Sequence, residues 1–211
     1  MSGPVIVAHR AGNDLAALAA AAAHADVAEA DVHLRRGRLE LRHAKRLGPL
    51  PVLWERWHLV DPASEPLLLG DLLAQVPAGL ELMLDLKGPD PRLAGAVMRA
   101  AQDWRAARSL IACSRAWRTV DGLLGTSGLR TLHSVGSARQ LRTLLRRYRP
   151  DTLEGVSIDR ALLTPTVVSL LRERAPHVWS WPVNDRATAR ALAAWGVTGL
   201  ITDVPAILRP A

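Results

Sequence analysis

Four short stretches of this 211-residue chain carry side chains suited to chemistry. An apolar run, Pro4 to Ala8, ends on His9 and Arg10. Glu29, Asp31 and His33 alternate with apolar residues. Asp85 and Lys87 do the same, and His43 closes an extended stretch from Leu39. Residues two apart on a strand share a face. Glu29, Asp31 and His33 therefore point one way, as do Asp85 with Lys87, and Val5 and Val7 with His9. Three carboxylates brought together would repel one another and resist burial unless a cation joined them. Their hard oxygen donors suit Mg²⁺ or Ca²⁺ better than zinc. Arg10 and Lys87 have the charge to face the oxygens of a phosphate. His9 and His43 titrate near neutrality and can move protons.

Taken singly, each stretch has a plainer reading. A lone histidine at a strand end is ordinarily structural. A lone Glu-x-Asp is a solvated strand face, and a lone Asp-x-Lys is a surface ion pair. The chemical reading gains force because the polar residues end consecutive strands in phase. Trp181 lies near the end of a later strand with Asn184 just beyond, and Asp203 follows the last.

The elements that must position these residues alternate along the chain. Strands are expected near residues 6, 30, 83, 111, 132, 157, 180 and 200. Asp14 is a candidate N-cap for a helix from Leu15 to His24, Thr164 for one from Pro165 to Arg174, and Asp185 for one from Arg186 to Trp195. Further helices are expected over Leu67–Gln75, Arg92–Arg108, Ala116–Leu124 and Ser137–Tyr148. Residues 44–66, rich in proline, read as irregular. A regular βα repeat predicts parallel strands with right-handed crossovers. Eight strands predict a compact (β/α)8 TIM barrel with short loops, one domain over residues 1–211, with its active site at the C-terminal ends of the strands. The other candidate architecture, an open doubly wound sheet, lacks a Gly-x-Gly-x-x-Gly after the first strand.

Composition narrows the function classes. Hydrophobic residues are 49% and charged residues 22%, as in an ordinary globular protein. No apolar run approaches the ~20 residues of a membrane span, and the N-terminus carries no secretory pattern, so a cytoplasmic protein is expected. Cys113 is the single cysteine and reads as a small core residue. The net charge is +7, with twenty-five Arg and two Lys, Lys45 and Lys87. The densest basic run, Arg142 to Arg149, reads as the exposed face of an amphipathic helix, and nucleic acid is not an expected partner. In a chain so biased toward arginine, a persisting lysine points to a chemical requirement.

The motifs together resemble the glycerophosphodiester phosphodiesterase family over essentially the whole chain. Ala8-His9-Arg10-Ala11, Glu29-Ala30-Asp31-Val32, Leu41-Arg42-His43-Ala44 and Leu84-Asp85-Leu86-Lys87 stand in the order of that family's motifs. So do Trp181-Pro182-Val183-Asn184 and Gly196-Val197-Thr198-Gly199-Leu200-Ile201-Thr202-Asp203-Val204-Pro205, the last being the closest match. The resemblance implies a (β/α)8 barrel that hydrolyses small glycerophosphodiesters to an alcohol and glycerol 3-phosphate with a divalent cation, Mg²⁺ or Ca²⁺. It implies His9 and His43 as the acid–base pair, and Glu29, Asp31 and Asp85 as metal ligands. Arg10 and Lys87 would contact the phosphate, and Trp181 would line the glycerol side. The chain departs from the pattern at Ala11, where the family has glycine, and at Ala44, where a neighbouring Asp could orient His43. Gly12-Asn13-Asp14 stands for the family's Glu-Asn-Thr. Asp85 is one methylene shorter than the family's Glu, and residues 44–66 are abbreviated. Trp54, Trp57 and Leu59 in that segment could form an apolar mouth, as a lysophospholipid or phosphoinositide phosphodiesterase would need. A barrel that binds a phosphorylated ligand without turnover is the third reading, supported by Ala11 and Ala44.

Overall fold

The computed structural model describes residues 3–43, 45–46, 53–55, 58–60, 65–88 and 90–209. Eight parallel strands form its centre: β1 (Val5–Ala8), β2 (Val27–Arg35), β3 (Glu81–Lys87), β4 (Leu110–Ser114), β5 (Leu129–Val135), β6 (Gly155–Asp159), β7 (His177–Trp181) and β8 (Gly199–Thr202). Each pairs with the next, and β1 pairs with both β2 and β8, so the sheet closes into a (β/α)8 barrel. The helices α1 (Leu15–Ala21), α2 (Leu69–Gln75), α3 (Arg92–Ala100), α4 (Gln102–Ala107), α5 (Trp117–Asp121), α6 (Ala138–Arg147), α7 (Pro165–Arg172), α8 (Arg186–Ala194) and α9 (Pro205–Leu208) lie between and after the strands.

Two apolar layers hold the barrel. The larger lies between strands and helices, and includes Leu82, Leu84, Val156 and Val178 from one side and Leu72, Leu93, Leu144 and Val168 from the other. The smaller fills the barrel interior with Val7, Val27, Met83, Ile111, Leu132, Trp179 and Ile201. Trp179 is completely buried there. Gly199 makes the space, since a Cβ at that position would lie 2.5 Å from Trp179 Cδ1. The interior is therefore packed at its base, and polar side chains reach the open end only past this plug.

Asp14, Thr164 and Asp185 cap α1, α7 and α8 as expected, and Ser137 caps α6. Each such cap stabilises its helix by about 1 kcal/mol. Arg209 adds a bidentate pair with Asp26 at 2.6 and 2.7 Å, tying the segment after α9 to the start of β2.

Several boundaries differ from expectation. The helix expected over Arg92–Arg108 breaks at the fully buried Ala101, which has φ −100° and ψ 16°, into α3 and α4. No glycine or proline marks that break, because packing produces it. The helix expected from Leu67 starts only at Leu69, since Leu67–Leu68 pairs with a strand at Arg38–Leu41. The segment expected to be irregular holds a small antiparallel sheet of Lys45–Arg46, Leu53–Glu55 and His58–Val60. Its strands are two and three residues long, too short for an alternating pattern to outweigh the surrounding prolines. The positions of Ala44 and Trp57, and the side chains of Lys45, Trp54 and Leu59, lie outside the described residues. Among the described residues, no helix is long and apolar enough to cross a membrane.

Candidate active site

The polar residues converge at the C-terminal ends of the strands. β2 presents Glu29 and Asp31 inward, and in-register pairing places Asp31 beside Asp85 and His33 beside Lys87. β2 then turns back as the strand Arg38–Leu41. The Arg42 amide donates to the Asp31 carbonyl at 3.1 Å, which brings His43 over the end of β2. The β1 end is shaped by a left-handed Arg10, at φ 60° and ψ 10°, followed by a 3₁₀ turn over Ala11–Asn13. Gly12 lets that turn lie on β2, since a Cβ there would come 2.8 Å from the Ala30 Cβ.

Asp31 is the hub. Its Oδ2 accepts from Asn13 Nδ2 at 2.9 Å and from His43 Nδ1 at 2.9 Å, while its own amide donates to Asn13 Oδ1 at 2.8 Å. Its Oδ1 takes the Lys87 ammonium at 2.8 Å, and Lys87 also contacts Asp85. On the far side of His43, Arg10 Nη2 stands 2.7 Å from Nε2. A guanidinium can only donate, so His43 Nε2 accepts and its Nδ1–H donates to Asp31. The orienting partner that Ala44 cannot supply thus comes from Asp31.

His9 is held by a second carboxylate. Its Nδ1 lies 2.8 Å from Asp203 Oδ1, and Asn184 Nδ2 donates to Asp203 Oδ2 at 2.9 Å. Asn184 Oδ1 accepts in turn from the Asp203 amide at 3.0 Å and from Thr202 Oγ1 at 3.1 Å. Among the described residues, His9 Nε2 has no protein partner.

Glu29, Asp31 and Asp85 offer oxygens that all lie within 4.8 Å of one another. Glu29 is only 2% exposed, and its partner is the Arg10 amide, which donates to it at 2.6 Å. Burial, with repulsion from Asp31 and Asp85, pushes the Glu29 carboxyl well up. Burial also raises Asp85 against the pull of Lys87. For Asp31 burial acts the same way, but the hydrogen bonds from His43 and Lys87 and the Lys87 charge outweigh it and hold the carboxyl well down. Burial lowers Lys87, yet the surrounding carboxylates prevail and raise it. His9 is lowered by burial, with Asp203 opposing in part.

A divalent cation fits this donor set. Lys87 answers Asp31 and Asp85, while among the described residues Glu29 has no cationic side chain against it. An all-oxygen cluster with one buried, uncompensated carboxylate is the environment a hard cation relieves.

The ligand cavity measures about 310 Å³ and is lined by both histidines, Arg10, Glu29, Asp85, Lys87 and Trp181 among others. Asp31 lies beneath it, holding His43 and Lys87. Cys113 is buried on its floor, and burial pushes the thiol well up. His33 does not line the cavity. Four residues received no role from the sequence, among them Asn13, which the 3₁₀ turn brings to Asp31. Asp203 and Asn184 stand in motifs beyond the ends of β8 and β7, and those positions were their signal. Arg115 continues the inward alternation of Ile111 and Cys113 one step past β4, and it lines the cavity.

Structures sharing this architecture were found among solved proteins. A phosphodiesterase from Oleispira antarctica in complex with the product sn-glycerol-3-phosphate is 18% identical, with a TM-score of 0.76 over 98% of this chain and 95% of that one. A glycerophosphodiester phosphodiesterase from Thermotoga maritima is 16% identical, with a TM-score of 0.74 over 97% and 96%. A glycerophosphoryl diester phosphodiesterase domain from Mycobacterium tuberculosis is 20% identical, with a TM-score of 0.68 over 97% of each. The chain shares the fold of the glycerophosphodiester phosphodiesterases. No protein-family model and no curated protein sequence matches it. At these identities the likeness establishes the fold, and activity must be argued from the site.

Proposed function

We propose that the protein is a divalent-metal-dependent phosphodiesterase that cleaves glycerophosphodiesters to glycerol 3-phosphate and an alcohol. One observation carries this reading: two histidines, each held by its own carboxylate, line a single cavity with Glu29, Asp85, Arg10 and Lys87, and Asp31 beneath it completes a three-carboxylate cluster. Glu29, Asp31 and Asp85 would hold the cation, Mg²⁺ or Ca²⁺. When bound, it supplies Lewis-acid polarisation of the phosphate oxygens.

Arg10 and Lys87 bind the phosphate and stabilise the charge that grows on it. Arg10 donates to His43, and a phosphate competes for the same donors. Drawing the guanidinium away frees the Nε2 lone pair of a histidine whose Nδ1–H is already fixed by Asp31. His43 then accepts the proton of the glycerol hydroxyl next to the phosphate as that oxygen bonds to phosphorus. His9, with Asp203 balancing its charge, protonates the alcohol oxygen as its bond to phosphorus breaks. Water opens the resulting cyclic phosphate with the proton roles reversed.

The test is hydrolysis of glycerophosphocholine, glycerophosphoethanolamine and lysophosphatidylcholine, each with Mg²⁺, Ca²⁺ and EDTA. Metal-dependent release of glycerol 3-phosphate from the first two is expected. Turnover of the lysolipid alone would replace this reading with a lipid phosphodiesterase. Binding without turnover would make the barrel a phosphate-ligand receptor.

A further inference from the structure

Eight arginines among the described residues lie within 4.0 Å of a carboxylate. Arg209 pairs with Asp26, Arg92 with Asp90, and Arg35 and Arg42 approach Glu40. A cleft of about 240 Å³ beside the active site gathers several arginines that do not. Arg115, Arg118, Arg139 and Arg147 line it together with Gln140 and Thr143, and no lining residue is acidic. Only Arg147 is paired, with Asp121 at 2.6 Å, which anchors it in place. Among the described residues, Arg115, Arg118 and Arg139 have no carboxylate within 4.0 Å.

The cleft starts at the catalytic face of the barrel and runs away from it along α6. Arg115 follows β4, Arg118 lies in α5, and Arg139, Thr143 and Arg147 recur every four residues along α6. Such spacing forms one stripe about 12 Å long, starting at the helix end nearest the barrel mouth. Arg115 joins this cleft to the catalytic cavity, because it lines both. Its guanidinium carbon stands 5.3 Å from the centre of the Trp181 ring. Gly136 leaves room for the pair, since a Cβ there would lie 3.0 Å from Arg115 Nη2 and 3.4 Å from Trp181 Cη2.

We infer that the cleft is a second anion subsite, which takes a phosphate carried on the leaving alcohol of the substrate. This rests on the phosphodiesterase reading for the nature of the reaction. This places the leaving alcohol, rather than the glycerol that the family resemblance would put there, against Trp181, and beyond the Trp181–Arg115 wall planar guanidiniums can grip a second phosphate through paired N–H donors. Exposed arginines alone gain little from an anion in water. Several guanidiniums converging on one concave site, with no acidic residue in its lining, gain more.

Calorimetric titration in EDTA compares glycerophosphoinositol with glycerophosphoinositol 4-phosphate, which differ by one phosphate. The wild-type protein should bind the 4-phosphate at least about tenfold more tightly. Arg118→Gln with Arg139→Gln should bring that ratio near one, while Arg142→Gln, on the exposed side of α6, should preserve it. Equal wild-type affinity, absence of binding by both, or a ratio that survives the double substitution overturns the subsite. A ratio that falls equally with Arg142→Gln overturns it too, by reducing the effect to diffuse charge. If the ratio behaves as expected but neither compound is hydrolysed with Mg²⁺ or Ca²⁺, the subsite stands and the phosphodiesterase reading fails.

Discussion

His9 and His43 are fixed by different neighbours, so their losses should differ in kind. His43→Ala removes a base and also releases Asp31 and Arg10 from their contacts, whereas His9→Ala releases Asp203 alone. Both should reduce kcat by about 10²–10⁴. His43→Ala should also raise KM, as Arg10 loses its rest position, and steady-state kinetics with glycerophosphocholine separates the two effects. Lys87 offers a sharper test. Its single ammonium bridges Asp31 and Asp85 inside a carboxylate cluster. A planar guanidinium needs more room and a fork-shaped partner. Lys87→Arg should therefore cost at least about tenfold in kcat/KM, or roughly 1.4 kcal/mol of transition-state stabilisation. Equal activity would reduce the persistence of this lysine to codon chance.

At the scale of elements, the sequence exposed the strands far better than what joins them. Alternation two apart put Glu29, Asp31 and Asp85 on inward faces, and the structure places all three around one point. The contact between His43 and Asp31 was not legible, because it depends on how β2 folds back through Arg38–Leu41. Ala44 by itself suggested a lost partner. Asn13 was hidden for a similar reason: a 3₁₀ turn after β1, lying on β2 at Gly12, delivers it to Asp31. Glycines at close approaches are the sequence trace of such packing, and they can be tested. At Gly199 a methyl would drive into the Trp179 ring, which is completely buried. Gly199→Ala should destabilise the barrel by about 1–3 kcal/mol, read as a lower urea midpoint at unchanged m-value. A wild-type midpoint would mean that Trp179 can move, and that the interior plug is not rigid.

For the molecule as a whole, pH acts through buried histidines outside the active site as well as within it. His133 is fully buried, with Nε2 2.8 Å from Asp121 Oδ1, and Asp121 also accepts from the Tyr148 hydroxyl at 2.9 Å. Burial lowers His133 below its ordinary 6.5, and Asp121 only partly opposes this. His177 is also lowered by burial, helped by the charges of Arg130 and Arg172. A histidine whose folded value is depressed binds fewer protons folded than unfolded. Its contribution is complete above pH 6.5 and is lost as pH falls through that value toward the folded one. Asp26, held down by Arg209 and the Ile6 amide against its own burial, loses its contribution only below its ordinary 3.8. The chain already carries a net +7, and each proton gained adds to its self-repulsion. The unfolding free energy should therefore decline from pH 7.5 to 5.5. His133→Gln keeps a donor for Asp121 but cannot take up a proton, so it should flatten that decline while lowering stability at pH 7.5. Urea titrations of both proteins across this range provide the measurement. A parallel decline in the variant would assign the acid sensitivity to other groups, with His177 the next to replace.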